Sequence, residues 1–118
     1  MLMPLKNILQ PEEVAEARSL LGDQAAWIDG RSSAGSQAQS RKNNEQLAQD
    51  SAGSRTLQEL VRAALRRDPL FFSAALPRKI FNPLFNRYSG ESNAYGSHVD
   101  GAVLHSRSTD EWVRSDVS

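Results

Sequence analysis

An apolar stripe in the middle of the 118-residue chain is the strongest constraint on its fold. Apolar side chains recur there at the spacing that places them on one face of an α-helix. The residues are Leu57, Leu60, Val61, Ala64 and Leu65. Ser54 or Thr56 is the expected helix cap. Asp68-Pro69 ends the helix, because the residue before a proline is pushed out of the helical region.

A second helix is predicted near the start of the chain. Pro11 suits the first position of a helix, and Glu12 and Glu13 suit the unpaired amides and the dipole of its first turn. Gly22 follows the expected end. Its apolar stripe consists of Val14, Ala17, Leu20 and Leu21.

Between these helices the composition changes. Residues 30–54 are rich in Ser, Gln, Asn, Gly and Ala, and Leu47 is the only large aliphatic residue among them. Such a composition predicts a loop, which is either a lid on the substrate side of a site or a plain tether.

Beyond Pro69 the pattern becomes β-like, with short apolar segments bounded by Pro77, Pro83 and the Ser89-Gly90 turn. The expected strand segments are Trp27-Ile28, Leu70 to Phe72, Lys79 to Phe81, Leu84 to Tyr88, Tyr95 to Asp100, Val103-Leu104 and Trp112-Val113. Helices followed by short strands predict an α+β fold, or a β-sandwich with helical support, in one domain. The strands are too few to close a sheet, which favours a truncated chain over a frayed natural terminus.

Composition argues against several classes of function. The chain has no cysteine, which excludes disulfides, thiolate nucleophiles and cysteine-bound zinc. Its 14 basic and 14 acidic side chains balance, so the total charge gives no support for nucleic-acid or anionic-membrane binding. The start is too weakly apolar for a signal peptide, and no apolar run is long enough to span a membrane. We therefore expect a cytoplasmic protein with neither kind of partner.

A histidine and an aspartate two positions apart form the candidate metal site. On a strand, residues at i and i+2 project to the same side, so His98 and Asp100 would offer a nitrogen and an oxygen to one cation. Two such ligands and a distant histidine make the facial triad that holds non-haem iron(II). The same alternation places Tyr95 on the opposite face, where packing is the favoured role, and the alternative that it leans over the site at the start of the strand stays open. The tripeptide alone is weakly specific, since His-x-Asp also occurs as a surface histidine beside a solvated aspartate.

The residues around this pair resemble the approach to iron in the prolyl-4-hydroxylase-like 2-oxoglutarate oxygenases. Blocks in the same order along the chain are similar to the bacterial PKHD-type hydroxylases, a group related to iron-uptake factors. The blocks are Trp27 to Gly30, Ala34-Gly35, Lys42 to Asn44, Gln46-Leu47, Pro69 to Pro77, Pro83 to Tyr88, Tyr95-Gly96, His98 to Asp100 and Arg114 to Asp116.

The resemblance implies the N-terminal portion of one iron- and 2-oxoglutarate-dependent dioxygenase domain over residues 1–118. Helical support is expected in 1–78, and the first strands of a double-stranded β-helix (jelly-roll) in 79–118. The implied reaction puts one oxygen atom of O₂ into a small-molecule or peptidyl substrate and releases succinate and CO₂, with L-ascorbate as a further cofactor and a link to iron homeostasis.

The resemblance also assigns site residues. His98 and Asp100 are the implied iron(II) ligands, and Tyr88, ten positions before His98, is the implied hydrogen-bond donor to 2-oxoglutarate. Without the resemblance, Tyr88 is expected to be a core tyrosine. The family's third ligand, a histidine, and its arginine for the far carboxylate match nothing in the chain. His105 is expected in a solvent-facing turn, and Asp110 with Glu111 in another.

Two alternatives stay open. One is a catalytically incompetent fragment that lacks the third ligand and the arginine. It would be either a pseudogene product or half of an oligomeric assembly, such as a homo-oligomer, in which an exposed sheet edge pairs with another chain. The other is a binding module in which His98 and Asp100 are incidental.

Overall fold

The computed structural model describes residues 2–33, 39–91, 93–98, 100–106 and 109–117, and these residues form helices and short strands. The helices are α1 (Pro11–Leu20), α2 (Ala52–Arg67) and α3 (Pro69–Ala75). The strands are β1 (Trp27–Asp29), β2 (Lys42–Asn43), β3 (Glu45–Leu47), β4 (Asn86–Arg87), β5 (Ala94–Tyr95), β6 (Val103–Ser106) and β7 (Glu111–Arg114). Two short 3₁₀ helices lie at Gly30–Ser33 and Gln39–Arg41. This mixture confirms the α+β class.

The two predicted helices are confirmed. α1 begins at Pro11, and the Glu13 carboxylate accepts a hydrogen bond from the Gln10 amide at 2.9 Å. α2 carries the predicted apolar stripe, but its cap is Ser51 and not Ser54 or Thr56. The Ser51 hydroxyl accepts from the Ser54 amide at 3.2 Å, which satisfies one of the unpaired amides of the first turn. The error arises because the helix starts with Ala52-Gly53, ahead of the apolar stripe.

The strand predicted at Leu70 to Phe72 is wrong, since these residues lie in α3. Asp68 has extended backbone angles, as expected before a proline, and its carboxylate accepts from the Phe71 amide at 2.6 Å. A cap followed by proline at the first helical position is a helix start, and these local signals outweigh the β preference of the aromatic run. α3 ends at Leu76, whose φ is +44°.

The described residues fall into two compact units. The first unit comprises Met1–Ile28 and Gln46–Phe85, and in it α2 packs against both α1 and α3. Its core centres on Leu57 and Leu47, which are 0% and 1% exposed, together with Ala64. The strand predicted at Trp27-Ile28 is confirmed as β1.

The second unit comprises Asp29–Glu45 and Asn86–Ser118. β2 and β5 pair antiparallel with Lys42 opposite Tyr95, and β6 and β7 form an antiparallel pair in which Leu104 lies opposite Val113. The strands predicted around Val103 and Trp112 are therefore confirmed.

The loop predicted for residues 30–54 is wrong over its described part. Residues 39–47 contain a 3₁₀ turn and two short strands, and Lys42, Asn44 and Gln46 are among the most buried side chains. Polar side chains can be buried in this segment because they form hydrogen bonds within the protein, as the Lys42 ammonium does with the Ser33 hydroxyl. The Ala34-Gly35 block lies outside the described residues.

Downstream of α3, the predicted strand at Lys79 to Phe81 is absent from the described residues, and only Asn86–Arg87 is extended within Leu84 to Tyr88. Pro77 and Pro83 lack the amide hydrogen that a strand ladder needs, which limits pairing between them. The jelly-roll, and one domain with helical support in 1–78, stay predictions. In the described part of the chain, no helix has the length and apolar character required to cross a bilayer.

An ion pair links the start of α1 to the end of α2. The Arg67 guanidinium binds both carboxylate oxygens of Glu13 and donates to the Ile8 carbonyl oxygen at 3.1 Å. The Arg67 hydrogen bond, and after it the hydrogen bond from the Gln10 amide, hold the pKa of Glu13 below its ordinary value. A lowered carboxylate pKa adds stability at neutral pH that is lost as the pH falls through the folded-state value.

We therefore predict that Arg67→Met lowers the urea midpoint of unfolding at neutral pH, because Glu13 then loses its partner. The difference from wild type should shrink at a pH of about 3, where most carboxylates are protonated. Arg66→Met is the matched control, since Arg66 lies 3.7 Å from the exposed Glu59. A difference that stays constant between the two pH values would contradict the assignment.

Candidate metal site

The structure brings the two predicted ligands together. His98 Nε2 lies 3.2 Å from Asp100 Oδ1, and His98 Nδ1 lies 2.8 Å from the Gly96 carbonyl oxygen. The His98 side chain is 23% exposed, whereas that of Asp100 is 73% exposed. The pair therefore consists of a largely covered imidazole and a carboxylate open to solvent.

The hydrogen bonds of His98 define which nitrogen is available. A carbonyl oxygen can only accept, so Nδ1 donates to Gly96. In the neutral imidazole, Nε2 then carries the lone pair, and it faces a carboxylate oxygen that is also an acceptor. Two acceptors at 3.2 Å repel each other unless a proton or a cation lies between them. The geometry thus suits either an imidazolium–carboxylate ion pair or a shared metal ion.

The backbone that carries this pair differs from the predicted strand. β5 ends at Tyr95, Ser97 lies in a bend, and Val99 lies outside the described residues. The bend breaks the alternation of faces. Tyr95 therefore lies beside His98, as in the alternative in which it leans over the site, and not on the opposite face. The two rings stack, with centroids 3.7 Å apart and planes 14° from parallel.

Arg41 anchors the bend from the neighbouring strand segment. Its carbonyl oxygen accepts from the Gly96 amide at 2.8 Å, and its guanidinium donates to the Ser97 carbonyl oxygen at 3.0 Å. The backbone on which His98 sits is therefore held at two successive residues by a residue far away in the sequence.

Lys42, the next residue, contacts Tyr95 directly. Its ammonium lies 5.2 Å from the centre of the Tyr95 ring and donates to the Ser33 hydroxyl at 3.1 Å. Lys42 is only 7% exposed, and burial lowers the pKa of its ammonium because a charged group is less stable away from water. The ring contact partly compensates for this loss of hydration.

Tyr88, the predicted cosubstrate ligand, is half-exposed and not a core tyrosine. Tyr88 also affects Tyr95 electrostatically. The pKa of the Tyr95 phenol is raised mainly by burial, and further by the charges of Asp100 and Tyr88. The exposed phenol of Tyr88 is available to donate a hydrogen bond to a bound carboxylate.

His105 lies in β6 and not in the predicted turn. Its Nε2 is 2.9 Å from Asp110 Oδ1, and its ring lies 4.9 Å from that of Trp112. Among the described residues, no group of three His, Cys, Asp or Glu side chains comes together to hold a metal, so His105 does not complete the triad. Asp110 is an exposed turn residue as predicted, but Glu111 begins β7.

Comparison with known proteins shows what the chain is similar to. No protein-family model matches the chain. All 118 residues align with PKHD-type hydroxylases from Variovorax paradoxus at 52% identity, Polaromonas sp. at 49% and Nitrosomonas eutropha at 49%, covering 51%, 52% and 52% of their lengths. By sequence, the chain is similar to the PKHD-type hydroxylases over its whole length. It spans about half the length of the curated relatives that it matches.

PKHD-type hydroxylases depend in general on iron(II) and 2-oxoglutarate, and the pair in this chain fits such a cation. Two neighbouring ligands at about 2.1 Å from a metal, at right angles, lie about 3 Å apart. The separation of 3.2 Å between Nε2 and Oδ1 is close to that edge. One nitrogen and one carboxylate oxygen are also two of the three donors in the iron(II) facial triad.

The sequence patterns gave no site role to Arg41 or Lys42, and they gave Tyr95 a place beside the site only as the less favoured alternative. Lys42 to Asn44 stood out only as one of the blocks shared with PKHD-type hydroxylases. No local pattern predicts the contact between Lys42 and Tyr95, because this contact depends on the register of β2 with β5.

Proposed function

We propose that His98 and Asp100 supply two ligands of the iron(II) centre of a 2-oxoglutarate-dependent hydroxylase. The observation that carries the proposal is the pairing of Nε2 with Oδ1 at 3.2 Å while Nδ1 is bound to Gly96. The other ring nitrogen, Nδ1, thereby donates its hydrogen bond to the backbone, which is the usual arrangement for a metal-binding histidine.

The residues of the chain divide the work. Gly96 fixes the tautomer of His98 so that Nε2 presents its lone pair. Asp100 contributes a negative charge that offsets the charge of the cation. Tyr88 donates a hydrogen bond to a carboxylate of 2-oxoglutarate. When bound, iron(II) and 2-oxoglutarate supply the oxygen chemistry, in which oxidative decarboxylation to succinate and CO₂ accompanies hydroxylation of the substrate.

The proposal extends to features for which the family resemblance is the support. They are L-ascorbate as a reductant, a small-molecule or peptidyl substrate, a jelly-roll fold for the complete domain and a link to iron homeostasis. A cytoplasmic location agrees with the absence of cysteine from the sequence.

Cation binding tests the proposal. Under anaerobic conditions, we expect the chain to bind Fe(II), and His98→Ala and Asp100→Ala to weaken that binding by at least about tenfold, since even a lost supporting partner costs that much. His105→Ala is the matched control, because His105 also faces an aspartate, at 2.9 Å. Isothermal titration gives the affinities, and circular dichroism checks that each variant is folded.

Equal Fe(II) affinities for wild type and His98→Ala would refute the proposal and favour a binding module with an incidental His-x-Asp. Equal losses in His98→Ala and His105→Ala would show that binding does not depend on the candidate pair.

A catalytically incompetent fragment is the second candidate. It is favoured by one observation: the described residues bring two candidate ligands together, and no third. Succinate release from 2-oxoglutarate by the 118-residue chain separates the two. Release that His98→Ala abolishes supports the hydroxylase, whereas His98-dependent iron binding without release supports the incompetent fragment.

A further inference from the structure

We propose that Tyr95 is a positioning residue that holds the His98 imidazole in the orientation required for cation binding, with Arg41 and Lys42 as its supports. The inference rests on the proposed function, because it concerns how that candidate ligand is oriented. It gives a role to residues outside the ligand pair. Gly96 bonds Nδ1 of His98, whereas Tyr95 keeps Nε2 turned toward Asp100.

The hydrogen bond to Gly96 alone does not fix the imidazole. A ring held at one nitrogen can still tilt about that bond, and the Nε2 lone pair would then swing away from Asp100. The phenol ring of Tyr95 lies against the imidazole face at 3.7 Å with planes only 14° apart, which blocks such a tilt. The bond and the stack together leave the ring one orientation.

Tyr95 is itself held in place. It ends β5, directly opposite Lys42 in the antiparallel pair. The Lys42 ammonium lies 5.2 Å from the centre of the phenol ring, and the low exposure of Lys42 restricts the motion of that side chain. The phenol is therefore a fixed surface for the histidine to lie on.

The bend between Tyr95 and His98 is fixed from the same neighbouring segment. Arg41 accepts from the Gly96 amide and donates to the Ser97 carbonyl oxygen. Gly96 is also the acceptor for Nδ1 of His98, so Gly96 and Ser97 are bonded to Arg41 and His98 is bonded to Gly96. The support of His98 thus comes from two adjacent residues on β2 and the turn before it.

The test compares ring removal with hydroxyl removal. Tyr95→Leu removes the aromatic surface, and we expect the Fe(II) affinity to fall about 10- to 100-fold, the usual range for partners that orient a metal ligand. Tyr95→Phe keeps the surface, and its affinity should stay close to wild type. Trp112→Leu is the matched control, because it removes an aromatic ring that lies beside the other histidine.

A second measurement needs no metal. In proton and nitrogen NMR spectra, the ring protons of His98 should be shifted upfield by the stacked phenol in wild type and in Tyr95→Phe. They should move to ordinary positions in Tyr95→Leu, and the preference for a proton on Nδ1 should weaken. A purely structural role of Tyr95 would change the unfolding midpoint without these effects.

The outcomes separate this inference from the proposed function. Loss of both the upfield shift and the affinity in Tyr95→Leu, with rescue by Tyr95→Phe, supports it. Unchanged His98 resonances in Tyr95→Leu overturn it, as does an affinity of Tyr95→Phe as low as that of Tyr95→Leu. If wild type binds no Fe(II), the proposed function fails and the NMR result still decides the positioning role.

Arg41→Met covers the case in which Tyr95→Leu does not fold. This variant removes the guanidinium bond to Ser97 and keeps the backbone bond to Gly96. We expect a several-fold loss of Fe(II) affinity and a broadened His98 signal. Wild-type values for both would overturn the part of the inference that concerns Arg41.

Discussion

Gly30→Ala is expected to lower the free energy of unfolding by an amount at the upper end of about 1–3 kcal/mol, the usual cost of overpacking. A methyl group at this position would lie 1.9 Å from Asn44 Oδ1 and 2.8 Å from the Asn44 carbonyl oxygen. Asn44 cannot move aside freely, because it is buried, its Nδ2 donates to Asn86 and its carbonyl accepts from the Gly30 amide. Urea denaturation measures the change.

A second substitution shows whether the clash is the cause. Asn44→Ala removes the oxygen at 1.9 Å but leaves the backbone contact at 2.8 Å, so the double variant should recover part of the lost stability. Gly53→Ala is the control, because its new methyl group would lie in ordinary contact, 3.9 Å from the Leu20 carbonyl oxygen, and alanine favours the helical conformation of α2. Additive effects of the substitutions at 30 and 44 would contradict this explanation.

Leu57→Ala is expected to have the largest effect on stability, about 2–5 kcal/mol. Leu57 is fully buried, and the buried apolar residues of the described part are only Leu47, Leu57 and Ala64. A core this small has few neighbouring side chains that could move into the cavity that the truncated leucine leaves. The loss is a large part of the about 5–15 kcal/mol that stabilises a typical domain.

The control for this prediction is Leu70→Ala in α3. Leu70 is 54% exposed, so its truncation should change the free energy of unfolding by no more than about 0.5 kcal/mol. Equal effects of the two leucine substitutions would show that α2 does not centre the core of its unit. Both variants are compared by their urea midpoints and slopes.

The helices were predictable because their information is local. Pro11 and the stripe through Leu57 mark α1 and α2 without reference to the rest of the chain. The signals for α3, the cap Asp68 and Pro69, are equally local. The strand prediction failed because the aromatic run that follows them favours a strand, whereas the cap and the proline favour a helix. The segment around Lys42 and Asn44 was missed for a different reason, since its burial comes from tertiary hydrogen bonds between polar groups.

The residues of the candidate site likewise divide into those that a local sequence pattern marks and those that only tertiary contacts place. His98 and Asp100 were found because their spacing is a sequence pattern, and their proximity agrees with it. For Tyr95 the favoured position was the opposite face, because a regular strand was assumed where Ser97 bends the chain, and the alternative beside the site is the one observed. The role of Arg41 had no signal in the sequence, because its two hydrogen bonds depend on the pairing of distant segments.

The contact between Arg41 and Ser97 joins residues 56 positions apart, and this separation has a kinetic consequence. The loop between them must close before the bend is held, and the entropy lost in closing it is not recovered until the contacts form. Contacts of such sequence separation form slowly compared with helices. We expect a newly synthesised chain to have stable helical turns well before it can capture a metal ion, although the two capturing side chains are almost adjacent in the sequence.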